Sequence, residues 1–211
     1  MPTTTPPGTV AKAARRRGPR PGHGSIHVIT GPMFSGKSEA TLRETRRQMV
    51  ARRRVVVFRP AIDARHGDAE VHTYDGTTFP AVVVRAASEI PALARRARAD
   101  AVAVEEAQFF DAGITGVVRA LADAGVVVIV NGLSQDAFGE PFGPMPALLA
   151  CADEISCLTA VCNTCGEPAT KSQRLDSDGQ PVPRRGAPAI EVGGHGDDKY
   201  EARCRLHHIV P

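Results

Sequence analysis

Tryptophan is absent from this chain and aromatic residues make up only 4 % of it, yet apolar residues reach 42 %, enough for a sizeable core in 211 residues. No apolar run approaches the roughly 18 residues of a membrane-spanning helix, which argues against such a helix and against a membrane partner. The five cysteines are an odd number, and no apolar segment typical of a signal peptide precedes them. These features argue against a disulfide framework and predict a reducing, cytoplasmic setting.

Acidic residues are absent from residues 1–24, which hold five of the 26 basic residues of the chain. The other residues carry 21 basic and 23 acidic side chains, a net charge of about −2, although the whole chain is formally +3. A basic nucleic-acid-binding surface is therefore not expected on the folded body. The Thr, Pro and Arg composition of residues 1–24, without an amphipathic period, predicts a disordered basic tail instead of a transit peptide.

A phosphate-binding loop is predicted between an apolar run at 26–30 and a helical pattern that begins near residue 37. The pattern G-x-x-x-x-G-K-[ST] is matched by Gly31, Pro32, Met33, Phe34, Ser35, Gly36, Lys37 and Ser38. Glycines permit the tight turn that points backbone N–H groups at a phosphate, and the next helix presents its positive end to the same anion. Lys37 is expected to reach the outer phosphates of a nucleoside triphosphate, and the Ser38 hydroxyl is expected to ligate Mg²⁺.

Short apolar runs alternate with helical patterns along residues 25–161. The runs lie at 26–30, 55–58, 81–84, 101–104, 126–130 and 154–161, and the helical patterns at 38–52, 88–98, 112–124 and 145–151. This alternation predicts an α/β domain over residues 25–161, with a doubly wound, mainly parallel sheet of the P-loop NTPase type. Ligands of such sheets bind at the carboxyl ends of the strands, so the phosphate loop and the residues after 104 are expected at one edge.

Two adjacent carboxylates, Glu105 and Glu106, follow the apolar run at 101–104. A carboxylate at the end of a buried strand beside a phosphate loop can order the water shell of Mg²⁺, a role expected of Glu105. Glu106 is then free to accept a proton from an attacking hydroxyl in phosphoryl transfer. Neighbouring residues of a strand point to opposite faces unless the strand has ended, so two exposed strand-end charges remain the alternative.

The composition changes at residue 162, beyond which Gly, Pro, Cys and His are frequent and no long apolar segment occurs. Residues 162–211 are therefore predicted to be a small domain that a metal holds together. A C-x-x-C pair and a C-x-x-H pair supply the predicted ligands, Cys162, Cys165, Cys204 and His207.

A Cys₃His set suits a closed, structural Zn²⁺ site, whose binding free energy is on the order of 10 kcal/mol. His208 is a rival for the fourth position, although the spacing favours His207. Ordinary buried thiols or a redox pair are the alternative to a metal site. Cys151 and Cys157 are interpreted as inert thiols of the core.

Four ordered motifs resemble the zinc-containing thymidine kinases of the cytosolic type. They read GPMFSGKS at 31–38, EEAQFF at 105–110, LTAVCNTC at 158–165, and Gly193-Gly194 followed by Asp198-Lys199-Tyr200 and Cys204. The resemblance spans 25 to about 208. It implies transfer of the γ-phosphate of ATP to the 5′-hydroxyl of thymidine, giving thymidine monophosphate, in a homotetramer.

The resemblance also implies roles for individual residues. Glu106 matches the catalytic base of the family, and Gln108 matches a partner of the acidic pair. Asp63 and Arg65 match residues near the donor phosphates. The residues that match the lasso loop, which closes over the base of the nucleoside, are Ala189, Ile190, Glu191, Val192, Gly193 and Tyr200. The four Cys and His residues above match the zinc ligands, which anchor the ends of this loop.

Several positions depart from the family pattern. The family usually has Asp where this chain has Glu105. Where an aromatic residue commonly stacks on thymine, this chain has Ala137, followed by Phe138, which is the candidate replacement. The lasso loop has two extra residues around His195-Gly196, and Glu191 replaces an apolar residue. Nucleoside specificity is therefore the least secure part of the resemblance.

Two alternatives stay open on the sequence. The acceptor could be another pyrimidine deoxynucleoside, because of Ala137 and Glu191. The chain could instead be a P-loop ATPase switch whose zinc ribbon grips nucleic acid or protein. The net acidity of the body and the lack of interleaved basic and aromatic residues near the Cys pairs argue against this second alternative.

Overall fold

The computed structural model describes residues 23–62, 70–72, 78–185 and 199–211. Nearly all of the predicted tail, and the residues from Asp63 to Arg65 and from Ala189 to Gly193, lie outside this part of the chain. In the described part, no helix combines the length and the apolar character that crossing a lipid bilayer requires.

Strands and helices alternate along the chain. The strands are β1 (Ser25–Thr30), β2 (Val55–Pro60), β3 (Glu70–His72), β4 (Thr78–Pro80), β5 (Val82–Val84), β6 (Ala101–Val104), β7 (Val127–Gly132), β8 (Glu154–Cys157), β9 (Ala160–Val161), β10 (Pro168–Ala169), β11 (Lys171–Leu175) and β12 (Lys199–Arg203). The α-helices are α1 (Lys37–Val50), α2 (Ile90–Arg96), α3 (Ile114–Asp123) and α4 (Met145–Ala150), and 3₁₀ turns lie at Ala87–Glu89 and Ala107–Phe109.

Six strands form one sheet in the order β5-β2-β6-β7-β1-β8, and every pair in it is parallel. All residues of β6 and β7 are buried, as the uninterrupted apolar runs predict for strands covered on both faces. Because the strands are parallel, the loops that follow β1, β6 and β7 all leave from the same edge. The prediction of a doubly wound parallel sheet is confirmed.

Helices cover both faces of the sheet. On one face, the side chains of Ile29, Val57 and Ile129 pack with Ala40 of α1. On the other face, neighbouring strand residues such as Val102 and Val128 pack in a larger cluster with α2, α3 and α4. Successive strand residues therefore serve opposite layers, which fixes the position of α1 and of the loop before it.

The predicted strand at 154–161 is two separate strands. β8 pairs with β1 up to Cys157, and Ala160–Val161 leaves the sheet to pair with Pro168–Ala169 around the first Cys pair. The edge position of β8 also leaves Cys157 exposed, so the interpretation of this residue as a core thiol was wrong. β11 and β12 form an antiparallel pair beside this hairpin.

The C-terminal strands enclose little apolar volume. Ala160, Cys162, Ala169 and Ala202 form their buried cluster, with Cys204 packed against it. Three of these five side chains are single methyl groups, so burial contributes little stability here. The sequence-based expectation that this segment needs another source of stability agrees with this small core.

Candidate active site

The phosphate-binding loop connects β1 to α1 at the carboxyl edge of the sheet. Its two glycines serve different purposes. A Cβ on Gly31 would lie 2.6 Å from the carbonyl oxygen of Leu158, so this position needs a residue without a side chain. Gly36 has φ 78°, the left-handed region that glycine enters without steric cost. Together they allow the sharp turn into α1, which the sequence motif predicts.

Two polar side chains of this loop donate to the same backbone carbonyl. Lys37 Nζ donates to Pro32 O over 2.7 Å, and Ser35 Oγ donates to the same oxygen over 2.8 Å. α1 begins at Lys37, and its 14 residues give the helix a positive end at the loop. Backbone N–H groups at a helix N-terminus form an anion site, so this arrangement is suited to a phosphate group.

Glu105 faces the phosphate-binding loop. Its side chain is buried, and Oε2 lies 3.5 Å from Ser38 Oγ at the start of α1. A hydroxyl and a carboxylate oxygen are hard donors of the kind that Mg²⁺ prefers. The donor set therefore fits a Mg²⁺ ion bound with the phosphates.

Glu106 contacts a different side chain. β6 ends at Val104, and Glu106 has φ 50° and ψ 46°, so the alternation of a strand no longer applies to it. Its carboxylate accepts a hydrogen bond from Gln108 Nε2, and Gln108 Oε1 accepts from the backbone N–H of Leu133 over 3.0 Å. The two adjacent carboxylates thus have separate partners, one in the phosphate-binding loop and one toward the segment 133–143.

Gln108 occupies a tight site between two glycines. It is 2 % exposed. A Cβ on Gly132 would lie 2.6 Å from Gln108 Oε1, and a Cβ on Gly143 would lie 2.4 Å from Gln108 O. Both glycines let the backbone approach Gln108 closely, which fixes the amide that contacts Glu106.

Phe138 lies in the segment 133–143, which follows β7. Asp136 Oδ1 accepts the backbone N–H groups of Phe138 over 2.9 Å and of Glu140 over 3.0 Å. His208 Nε2 lies 2.9 Å from Ala137 O. These contacts hold the loop backbone near the C-terminus, with the Phe138 side chain half-buried.

Tyr200 lies in β12, opposite Arg174 of β11, and is half-buried. Of the residues matched to the lasso loop, it alone falls in the described part of the chain. Asp63, Arg65 and the residues from Ala189 to Gly193 lie outside it.

The four predicted metal ligands come together, with their ligand atoms all within 4.8 Å of one another. Cys165 Sγ and Cys204 Sγ are 3.8 Å apart, and Cys204 Sγ and His207 Nδ1 are 3.2 Å apart. Two thiolates at roughly 2.3 Å from a tetrahedral ion lie about 3.8 Å apart, so the cluster fits Zn²⁺.

The structure also distinguishes the two rival histidines. His207 belongs to the cluster, whereas His208 contacts Ala137 O.

The pKa of the Cys162 thiol also suits a metal ligand. Burial raises this pKa, but backbone N–H groups from residues that include Cys204 and Thr164 outweigh burial and lower the pKa to about 5. This favours the thiolate form that a metal requires.

Sequence reasoning missed three buried polar residues at this edge. Thr41 and Asn131 connect α1 to Glu106, and Ser172 Oγ accepts the backbone N–H of Met33 over 2.9 Å. No motif marks these residues. The position of Asn131 at the carboxyl end of a predicted strand was the available signal.

Comparison with known proteins gives one family. A family model described as thymidine kinase matches residues 24–208. A thymidine kinase of Thermococcus kodakarensis is 43 % identical over 192 residues, covering 89 % of this chain and 95 % of that protein. Thymidine kinases of Deinococcus deserti and Coprothermobacter proteolyticus are each 45 % identical, over 196 and 188 residues. These two matches cover 89 % of this chain and 95 % and 92 % of those proteins.

Among solved structures, the X-ray structure of the Legionella pneumophila ATPase DotB matches 61 % of this chain and 34 % of its own. The sequence identity is 20 % and the TM-score 0.37, a value too low to bear on fold or function.

Proposed function

Because the chain belongs to the thymidine kinase family, we propose that it transfers the γ-phosphate of ATP to the 5′-hydroxyl of thymidine. The products would be thymidine monophosphate and ADP. The observation that carries this proposal is the position of the Glu106 carboxylate. It follows β6 at the same sheet edge as the phosphate-binding loop, and it accepts a hydrogen bond from Gln108, whereas Glu105 lies beside Ser38 of the loop.

The donor side of the proposed reaction uses the loop from Gly31 to Ser38. Its backbone N–H groups and Lys37 would hold the triphosphate of ATP, with Asp63, Arg65 and Gln108 completing the nucleotide site. Ser38 and Glu105 would hold Mg²⁺, which supplies charge neutralisation for the phosphates. The 3.5 Å separation of their oxygens supports this assignment.

The acceptor side uses Glu106. Phosphoryl transfer has a loose transition state, so the protein mainly positions groups and stabilises charge. Glu106 would accept the proton of the 5′-hydroxyl as that oxygen bonds to phosphorus and the bond to the ADP oxygen breaks. Gln108 donates to the Glu106 carboxylate and accepts the backbone N–H of Leu133. These two hydrogen bonds orient Glu106 as the catalytic base.

The nucleoside would lie between the segment 133–143 and the lasso loop. Phe138 would contact the nucleobase. The lasso loop would close over the nucleobase with Ala189, Ile190, Glu191, Val192, Gly193 and Tyr200. Zn²⁺ held by the Cys₃His cluster would then have a structural role, because it anchors the segments on both sides of this loop.

One feature of the segment 133–143 favours an alternative phosphate acceptor, another pyrimidine deoxynucleoside in place of thymidine. Ala137 has no ring, so at this position of the segment stacking on the nucleobase, worth about 1–3 kcal/mol, would have to come from the neighbouring Phe138. Thymidine, deoxyuridine and deoxycytidine compared at equal concentration test this point. A kcat/KM that is highest for thymidine supports the first proposal, and a higher value for either of the others supports the alternative.

We also propose that each chain has three segments: a tail (1–24), a nucleotide-binding domain (25–161) and a zinc-binding domain with the lasso loop (162–211). We further propose that the protein is a homotetramer. Among the described strands, β8 is hydrogen-bonded only to β1, and Ile155 on it is 47 % exposed. An edge strand with exposed apolar side chains favours association with another copy. The mass from light scattering, and its decrease for Ile155→Lys, test the assembly.

The setting we propose is the cytoplasm, with a small nucleoside as substrate and neither nucleic acid nor membrane as partner. The net charge of about −2 outside residues 1–24 supports this choice of partner. Fractionation of cells that express the full chain, and a filter-binding assay with single- and double-stranded DNA, test these two points.

Glu106→Gln tests the central proposal. The variant keeps the size of the side chain and removes the base, which contributes about 10²–10⁴-fold in typical enzymes. We expect kcat for thymidine to fall at least about 100-fold while the Kd for ATP stays within twofold. Glu167→Gln, which changes an exposed carboxylate, is the matched control. Normal turnover by Glu106→Gln would show that another group accepts the proton.

A further inference from the structure

A series of buried hydrogen bonds runs from the start of α1 to the backbone of Glu106. Thr41 Oγ1 donates to Lys37 O over 2.9 Å, and Asn131 Nδ2 donates to Thr41 Oγ1 over 2.8 Å. The backbone N–H of Glu106 donates to Asn131 Oδ1 over 2.9 Å. Thr41 and Asn131 are 0 % and 1 % exposed, so water does not compete for these groups.

The direction of each hydrogen bond is fixed. A backbone N–H can only donate, so Asn131 must present Oδ1 to Glu106. This leaves Nδ2 to donate to Thr41, whose hydroxyl accepts this bond and donates its own proton to a backbone carbonyl. An amide on β7 and a hydroxyl on α1 therefore satisfy each other, and replacing either one leaves a buried polar group without its partner.

Glu106 depends on this support because of its backbone conformation. Its φ of 50° lies in the left-handed region, which residues with a side chain seldom adopt. Such a conformation persists when the surrounding structure holds it in place. The backbone of Glu106 sets the direction of its carboxylate, so Asn131 acts on that direction through the N–H group.

We propose that Asn131 and Thr41 are positioning residues that hold Glu106 in register with the phosphate-binding helix. This inference rests on the proposed role of Glu106 as the base. Lys37 begins the helix that would hold the donor phosphate, and Glu106 would act on the acceptor hydroxyl. The series of hydrogen bonds through Thr41 and Asn131, called the relay below, keeps these two sides at one separation. A misplacement of reacting groups by about 1 Å can reduce the rate about 100-fold.

Thr41→Val is the first test, because valine keeps the shape of threonine and removes the hydroxyl. We expect kcat to fall about tenfold, with KM for ATP and for thymidine within threefold of wild type. Thr41→Ser restores the hydroxyl and should restore most of kcat. An unchanged kcat in folded Thr41→Val, or a higher KM for ATP at constant kcat, would overturn the proposal.

Thr45→Val is the matched control. Thr45 lies one turn further along α1, is 0 % exposed, and its hydroxyl has no hydrogen-bond partner within the described part of the chain. The same substitution there removes no relay contact, so kcat should stay within twofold of wild type. An equal loss of kcat in both variants would mean that any change in this buried helix face slows the enzyme, and would overturn the proposal.

A second variant, Asn131→Ala, and a measurement that needs no catalysis test the relay even if Glu106 is not the catalytic base. Hydrogen–deuterium exchange of the peptide that contains Glu106 should be at least about tenfold faster in Asn131→Ala, because the Glu106 amide loses its buried acceptor. Exchange should also be faster in Thr41→Val, because the Asn131 side chain that accepts from Glu106 loses the partner of its Nδ2 group. Unchanged exchange in both folded variants would overturn the relay even if Glu106 is the base.

A double variant separates the two hypotheses. If the relay acts through Glu106, Thr41→Val should reduce the residual kcat of Glu106→Gln less than twofold. A full, additive loss would overturn the relay and leave the base assignment intact. Full activity of Glu106→Gln alone would instead refute the base assignment, and the exchange measurement would still decide whether the relay holds the Glu106 backbone.

Discussion

Ser172 of β11 and Met33 of the phosphate-binding loop are joined by a hydrogen bond of 2.9 Å, in which the Met33 N–H donates to the Ser172 hydroxyl. Ser172 pairs with Ala202 of β12, and the carbonyl of Ala202 accepts the N–H of Asn163, inside the first Cys pair. The Cys₃His cluster is therefore connected to the loop that would bind phosphate through Asn163, Ala202 and Ser172.

Ser172→Ala should weaken ATP binding. The variant removes one net hydrogen bond of about 0.5–1.5 kcal/mol from the loop, so KM for ATP should rise about three- to tenfold. We expect kcat to change less than twofold, because Ser172 is not placed beside Glu106. Steady-state kinetics measure both values. Ser156→Ala, which removes a 2.8 Å contact between β8 and His27 of β1 and none to the loop itself, is the control.

Gly132→Ala, at the end of β7, should lower both kcat and Tm. The new Cβ would lie 2.6 Å from Gln108 Oε1 and 2.6 Å from Met145 Sδ, so the buried side chains of Gln108 and Met145 must shift, which disturbs the Gln108 amide that contacts Glu106. Overpacking of this kind costs about 1–3 kcal/mol, and we expect a lower Tm together with a lower kcat. Gly116→Ala in α3 meets no atom within 4 Å, so it should leave kcat unchanged and keep or raise Tm.

Cys165→Ser should abolish metal binding. Loss of one of four ligands opens the tetrahedral site, so zinc measured by atomic absorption should fall from one ion per chain to nearly none. We expect faster proteolysis within 162–211 and, through Ser172, a higher KM for ATP. Cys157→Ser changes an exposed cysteine outside the cluster and should keep its zinc. Zinc retained by Cys165→Ser would contradict the ligand assignment.

The ion pair of Arg54 and Asp100 should make a small, pH-dependent contribution to stability. Side-chain hydrogen bonds from Arg54 lower the pKa of Asp100 from 3.8 to about 2. A depressed carboxyl pKa means that the contribution is present above about pH 4 and is lost as the pH falls toward 2. Both side chains are largely exposed, so we expect Asp100→Asn to lower Tm by at most about 2 °C at pH 7.

Urea unfolding at several pH values checks this expectation. The difference between wild type and Asp100→Asn should shrink to zero as the pH falls from about 4 to about 2. Added salt should reduce the same difference at pH 7, because exposed charges are screened. A difference that grows at low pH would contradict the assignment of the depressed pKa to this pair.

The position of the phosphate-binding loop and the identity of the four clustered ligands could be predicted from the sequence. Both depend on residues that are close along the chain, such as Gly36 and Lys37, or on pairs at fixed short spacing, such as Cys162 and Cys165. Local spacing restricts local geometry directly. The alternation of apolar runs and helical patterns also predicted a parallel sheet, because buried parallel strands need apolar side chains on both faces.

The tertiary structure decided the contacts between distant segments. The sequence could not show that Glu105 contacts Ser38 while Glu106 contacts Gln108, since that depends on where β6 ends and on the left-handed backbone of Glu106. Nor could it show that Asn131 contacts Thr41, because 90 positions separate them and only the order of the strands brings β7 beside α1. Hydrogen bonds of this kind leave no repeat or spacing in the chain, because they arise only when the sheet and its helices have packed.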